Sequence, residues 1–516
     1  MTRTLKHILA ACLLLMTLLP SSMGCQKPNI VLILLQEAGW GDFESHDPIM
    51  RTPNIKKLRE EGLFLSQSYV QPMCGPTIAA LMSGRYPHTF GCMEGKGMTE
   101  LTKFWVNETF TLLPQELKTL GYSTHLVGKW HLGFCHPGLM PQARGFDTFY
   151  GQMLGGHKSQ YYHNSTDGIY DFWEGRNIDW TAEGHYKTDL YNARALKVLN
   201  ETDSSKPFFL FLSHYVGHKP FEVPQHYRDT FCSHVTNEKR KTQCAMFAAA
   251  DQGIGQIVQA LKDKGVYDNT VILTMSDNGG PALEGGSVNW PLRGTKQTIF
   301  EGGTRSYTVF KAPGLTATNV TWSGLIHAID WLPTLLGIAE GPQPNYIHGH
   351  DLWPNLQRNE PSARNEFIYA VNDFDRRKHS AFRYKQWKLI KGRGGSAAKS
   401  GWFPPFQLYN QYPFGGLDKT KFTNESKLYN LDTDPSERNN TYSDPNNAAL
   451  LVTMEAKIKE YLVGEPGAKE GLYPLQPFAF YPVSSGDNVD QTGALATCFC
   501  QPPGLAGSTD CPTTTN

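Results

Sequence analysis

Three short runs of uninterrupted apolar residues, Ile30–Leu35, Phe208–Leu212 and Val271–Thr274, constrain the architecture more than any other feature of this chain. Apolar runs of this length bounded by turn formers predict strands covered on both faces, because a half-exposed strand would alternate apolar with polar side chains. Between them, Thr111–Leu120 and Met246–Lys262 carry apolar residues at three- and four-residue spacing, the period of a helix with one buried face. Strands alternating with helices predict an α/β layer fold with a largely parallel sheet. Ligands of such sheets bind at the carboxyl ends of the strands, where loops can carry polar groups. Polar clusters follow all three runs: Gln36-Glu37, Gly217-His218-Lys219-Pro220 and Ser276-Asp277-Asn278-Gly279-Gly280.

Charge excludes more than it assigns. The 48 basic residues balance 48 acidic ones, so nothing pushes the chain as a whole toward nucleic acid or a membrane surface. Arg3 and Lys6 precede a mostly apolar run from Ile8 to Leu19, and Pro20–Gly24 brings small residues at a plausible cleavage point. We read 1–24 as a secretory signal peptide, since a bilayer core needs about 20 apolar helical residues. No later run is long enough to span. Asn-x-Ser/Thr sequons at Asn107, Asn164, Asn200, Asn319, Asn424 and Asn439 suit a glycosylated product of the secretory pathway, extracellular or lysosomal.

The stretch Cys74-Gly-Pro-Thr-Ile-Ala-Ala-Leu-Met-Ser-Gly-Arg85 resembles the sulfatase signature Cys-x-Pro-Ser-Arg-x-x-Leu-x-Thr-Gly-Arg. Ile78 stands where that signature has its first Arg, Thr77 replaces Ser and Ser83 replaces Thr. Matching segments run in family order from Pro28 to about Pro435, and within the family they are most similar to the arylsulfatase B type. The resemblance implies an alkaline-phosphatase-like α/β catalytic domain over 25–360 and a smaller α+β domain over 361–464. A Pro-, Gly-, Ser- and Thr-rich tail follows over 465–516.

The same resemblance implies a site. In sulfatases the signature Cys is oxidised to formylglycine by the formylglycine-generating enzyme, and Cys74 is the matching residue. Gly128-Lys129-Trp130-His131-Leu132-Gly133 matches a family segment residue for residue. Its Lys contacts sulfate oxygen and its His supports the formylglycine hydroxyl, which assigns those roles to Lys129 and His131. His218 matches the residue that protonates the leaving oxygen, and Lys296 the one that neutralises sulfate charge. Asp277 and Asn278 match two ligands of a divalent cation, expected to be calcium, with Cys74 beside it. The other two ligands are consecutive Asp residues in the family, and Gln36 and Glu37 stand in their place. Fewer carboxylates predict a weakened calcium site, because ligand charge is a main control on calcium affinity. By residue type alone, Asp277-Asn278-Gly279-Gly280 is equally a turn.

The resemblance therefore implies a hydrolase of glycan or small aryl sulfates, with a catalytically silent relative that binds sulfated glycans or a protein partner as the alternative. Phosphate-ester hydrolysis with Thr77 or unmodified Cys74 as nucleophile is a further reading, and nothing supplies the ligands of a second metal for it. Setting aside Cys12 and Cys74 leaves eight of ten cysteines for pairing. We expect Cys232 with Cys244, Cys92 with Cys135, and pairs among Cys25, Cys498, Cys500 and Cys511, ranked above a Cys498-Phe499-Cys500 metal clip. The segment from Arg376 to Arg393, which holds eight Lys or Arg and no acid, is read as an exposed face of a small antiparallel sheet in preference to an anion-binding patch.

Overall fold

The computed structural model describes residues 27–90, 106–134, 137–165, 168–369, 380–408, 411 and 424–463. The signal peptide, the 465–516 tail and the Cys92, Cys135, Cys25, Cys498, Cys500 and Cys511 pairings lie outside the described residues. All three apolar runs are strands, slightly longer than their hydrophobic cores: Asn29–Leu35, Phe208–His214 and Thr270–Ser276, each buried throughout. They lie side by side in parallel, with Leu35 in register with both His214 and Ser276. Ser123–Lys129 and Thr148–Gln152 extend the parallel centre on one side. Thr308–Lys311 continues the other side antiparallel to Thr270–Ser276, and the whole sheet has ten strands among the described residues.

Two apolar clusters cover the two faces. Ile30, Leu32 and Leu34 belong to one, and Val31, Ile33 and Leu35 to the other, which is why the run reads as continuous rather than alternating. The expected helices are present as Leu113–Thr119 and as Glu238–Asp263, the latter much longer than its apolar periodicity. It starts on an Asn237 side chain that accepts from Arg240 N, and it carries Cys244, which is disulfide-bonded to Cys232 as expected.

A second sheet of four antiparallel strands, Glu366–Ile368, Ser380–Tyr384, Trp387–Lys391 and Lys427–Asn430, packs with the helix Ala448–Val463. Here the structure corrects the reading of its basic run as an exposed face. Arg383 and Lys388 are buried. Lys388 Nζ lies 2.9 Å from Glu301 Oε1 and 3.0 Å from Glu437 Oε1, and Arg383 donates to Gln67 Oε1 at 2.7 Å. The buried cations of this run find partners far away in the chain, Glu301 and Gln67 on the larger domain and Glu437 on the smaller one. Of the six sequon asparagines, all but the half-buried Asn164 are exposed, as glycan acceptors need to be. No described helix is long and apolar enough to cross a membrane.

Candidate active site

The parallel strands deliver the site residues to one edge. Lys129 is the last residue of its strand, Gln36 and Glu37 follow Leu35, Asp277 and Asn278 follow Ser276, and His218 lies four residues past His214. Gly128 sets the exit of the Lys129 strand: its φ is +110°, and a Cβ there would stand 2.0 Å from Ser213 O. Glu37 and His131 both take left-handed backbone, with φ of 56° and 54°. For non-glycine residues that conformation costs on the order of 1 kcal/mol or more, and it persists where surrounding contacts over-determine it.

Cys74 opens the helix Cys74–Ser83 and is buried, as the one free cysteine among the described residues. Its Sγ lies 3.2 Å from Lys129 Nζ and 3.6 Å from His131 Nδ1. The fully buried Lys129 also donates to Gln36 Oε1 at 2.7 Å. Glu37 N donates to Asp277 Oδ1 at 2.7 Å, tying two strand ends together. The Glu37 carboxylate itself turns to Lys296, which donates to Oε1, and to His218, whose Nε2 is 3.0 Å from the same oxygen. Burial opposes ionisation of Glu37, but His218 and Lys296 outweigh it and hold the carboxyl well below its usual range. Burial lowers the Lys296 ammonium, and Glu37 more than restores it. His218 is pulled down to about 4 by burial, against the pull of Glu37. Its Nδ1–H donates to Lys219 O at 2.7 Å, which leaves Nε2 facing Glu37 Oε1.

All nine expected residues thus meet in one place, but the expected metal set does not form as a set. Gln36 Oε1, Glu37 Oε1 and Cys74 Sγ are committed to cationic or imidazole partners, and Asp277 Oδ1 to a backbone N–H. Asp277 Oδ2 and Asn278 Oδ1 remain as buried acceptors without a hydrogen-bond partner. Two open oxygens fall short of the six to eight that calcium takes. Among the described residues no group of three or more His, Cys, Asp and Glu side chains is arranged to hold a metal ion. As arranged, these residues do not fit a resident divalent cation.

Ile78, at the position of the missing Arg, is fully buried within the larger apolar cluster. Thr77 Oγ1 donates to Asp277 O at 2.6 Å and accepts from Gln71 N at 3.0 Å. Those bonds pin the helix to the strand end and occupy the hydroxyl, which removes it as a nucleophile.

Sequence reasoning missed the support behind His218. Tyr215 stacks on its ring at 4.4 Å, and Lys187 Nζ lies 4.1 Å from the Tyr215 ring centroid. Burial and the neighbouring Lys187 pull His157 down to about 4, so its neutral Nδ1 accepts from Lys187 at 2.9 Å while Nε2–H donates to Asp171 at 3.0 Å. It also missed the mouth. A cleft of about 110 Å³ is lined by Glu37, His218, Lys296, Lys219, Glu284 and Lys399, among others. Lys399 comes from the 3-10 turn Ala397–Lys399, and both it and Lys219 face Glu284, at 3.8 and 3.3 Å. No periodicity or motif marks these positions.

Comparison with known proteins agrees with the resemblance. The family model named Sulfatase matches residues 28–341. Arylsulfatase J of Mus musculus is 34% identical over 440 residues, covering 80% of this chain and 73% of that protein. N-acetylgalactosamine-6-sulfatase of Homo sapiens is 30% identical over 375 residues, covering 67% and 68%. Among solved structures, Ps i-CgsB in complex with k-i-k-neocarrahexaose superposes with a TM-score of 0.71 at 29% identity, covering 84% of this chain and 93% of the other.

Proposed function

The chain belongs to the sulfatase family, and we propose that it hydrolyses sulfate esters of glycans or small aryl alcohols with a formylglycine made from Cys74. The observation that supports this most directly is the placement of Cys74 Sγ at the start of a helix, 3.2 Å from Lys129 Nζ and 3.6 Å from His131 Nδ1. Formylglycine at position 74 would supply a hydroxyl that attacks sulfur. Lys129 and Lys296 hold positive charge where sulfate oxygens would lie, the preorganised electrostatics that sulfuryl transfer requires. His131 Nδ1 is within reach to exchange a proton with the group at position 74. His218, on the lining of the cleft, is placed to pass a proton to the leaving alkoxide oxygen. No step is assigned to a divalent cation.

The names of the relatives, a galactosamine sulfatase and a neocarrahexaose complex among them, favour a glycan substrate. Burial of Cys74 requires its conversion by the formylglycine-generating enzyme before folding is complete, which fits the secretory pathway and an extracellular or lysosomal destination. The second reading is a non-catalytic relative that binds sulfated glycans or a protein partner, and Ile78, an apolar residue where the signature recognised by that enzyme has Arg, favours it. Mass spectrometry of the Cys74 peptide, from full-length protein co-expressed with the formylglycine-generating enzyme, separates the two. Formylglycine together with turnover of an aryl sulfate is the expected result. An unmodified thiol with no turnover leaves the binding relative.

A further inference from the structure

The cationic side chains of this site occupy the atoms that a metal ion would need. Lys129 stands between Gln36 Oε1 and Cys74 Sγ, and Lys296 holds Glu37 Oε1, so two ammonium groups engage three of the five residues expected around a divalent cation. The residue types agree with the geometry. An amide carbonyl at position 36 accepts readily from an ammonium but brings no negative charge to a dication, whose affinity follows ligand charge. Gln36 Nε2 is in addition a buried donor without a hydrogen-bond partner. A donor is repelled by a metal ion and satisfied by an anion's oxygen. Asp277 Oδ2 and Asn278 Oδ1 are the two atoms that point the other way, and they make a calcium arm necessary in any test.

We propose that this pocket binds a sulfate monoester or free tetrahedral oxyanion without a resident divalent cation, with Lys129 and Lys296 supplying the positive charge in its place. The proposal rests on the sulfate-ester reading above and concerns binding, so it holds whether or not Cys74 is converted. Lys219 and Lys399 at the cleft mouth add cations along the entry path, and each pairs with Glu284.

The test uses the full-length secreted protein, stripped with EDTA and desalted, with inorganic sulfate as the probe and chloride at matched ionic strength as the control. Thermal melting and calorimetric titration are read with EDTA and again with calcium. The expected result is a sulfate-dependent rise in Tm of equal size in both conditions, with calcium alone giving none. In the double variant Gln36→Asp, Glu37→Asp, sulfate binding should weaken at least tenfold in EDTA and recover with calcium. If that variant does not fold, Lys296→Met serves instead, with sulfate affinity lost at least tenfold and no recovery in calcium. Wild-type binding of sulfate only in calcium, or calcium co-purifying at one ion per chain, would overturn the metal-free pocket while leaving the sulfate-ester reading intact. No sulfate effect in either condition would overturn both.

Discussion

Two buried lysine clusters in this molecule answer to opposite requirements. At the junction of the two sheets, Lys388 lies 2.9 Å from Glu301 and 3.0 Å from Glu437, with all three side chains removed from solvent. Glu437 Oε2 also accepts from Glu301 N at 2.7 Å, while its Oε1, which has no hydrogen-bond partner, is balanced by the Lys388 charge. At the strand ends, Lys129 has a neutral amide and a sulfur as its partners, while Asp277 Oδ2, Asn278 Oδ1 and Gln36 Nε2 have none. Buried polar groups are ordinarily paired, and leaving one unpaired costs on the order of 1–3 kcal/mol. A cluster whose opposite charges are matched within it holds a fold together. One that leaves members open is arranged for something that arrives from outside.

That contrast can be broken at its strongest point by Lys388→Met. Both glutamates would then lose their shared cation, and the expected loss is about 3–5 kcal/mol of unfolding free energy by urea denaturation. Ile78→Arg comes next: a guanidinium placed in the apolar cluster should cost about 3 kcal/mol by the same measurement, so restoring the signature residue alone weakens the fold before it can help catalysis. Lys129→Met should do the reverse of Lys388→Met. It removes a buried charge that the fold does not need, so Tm should hold or rise, while sulfate affinity falls at least tenfold, about 1.4 kcal/mol. A matching loss of stability in Lys129→Met would erase the distinction between the two clusters.

The last test is in pH dependence. Burial, partly offset by Lys388, pushes Glu437 up to about 7, whereas the unfolded chain titrates near 4.5. Between those values the folded state binds the extra proton, so this group's contribution is fully present below about 4.5 and is lost as pH rises through 7. Glu437→Gln imitates the protonated form. Its stability relative to wild type should therefore increase from pH 5 to pH 8, as read from paired thermal melts. A constant difference across that range would mean that Glu437 is ionised throughout.

Much of the fold was legible because burial on both faces writes itself into consecutive residues. Ile30–Leu35 has no alternative use for six apolar side chains in a row, and the strand it predicts is the centre of the sheet. That Gln36, Glu37, Lys129, Asp277 and Asn278 lie together was legible for a different reason: strand ends are where local sequence and tertiary position coincide, and the family motifs fall on them. The basic run was misread because partners for Arg383 and Lys388 come from Gln67, Glu301 and Glu437, far away in the chain. Lys187, His157 and Asp171 were invisible for the same reason, since each looks like an ordinary polar residue until Tyr215 and His218 are packed against them.

By itself, then, the sequence determined which residues could be inside, which strand ends would carry polar groups and which family the motifs resemble, because these depend on neighbours along the chain. Only the tertiary structure decided where each charge goes. Glu37 turns to Lys296 and His218, Lys129 takes Gln36 and Cys74, and Asp277 Oδ2 stays open. The energy of a buried charge depends on partners within a few ångströms in space, and spacing along the chain does not encode that distance.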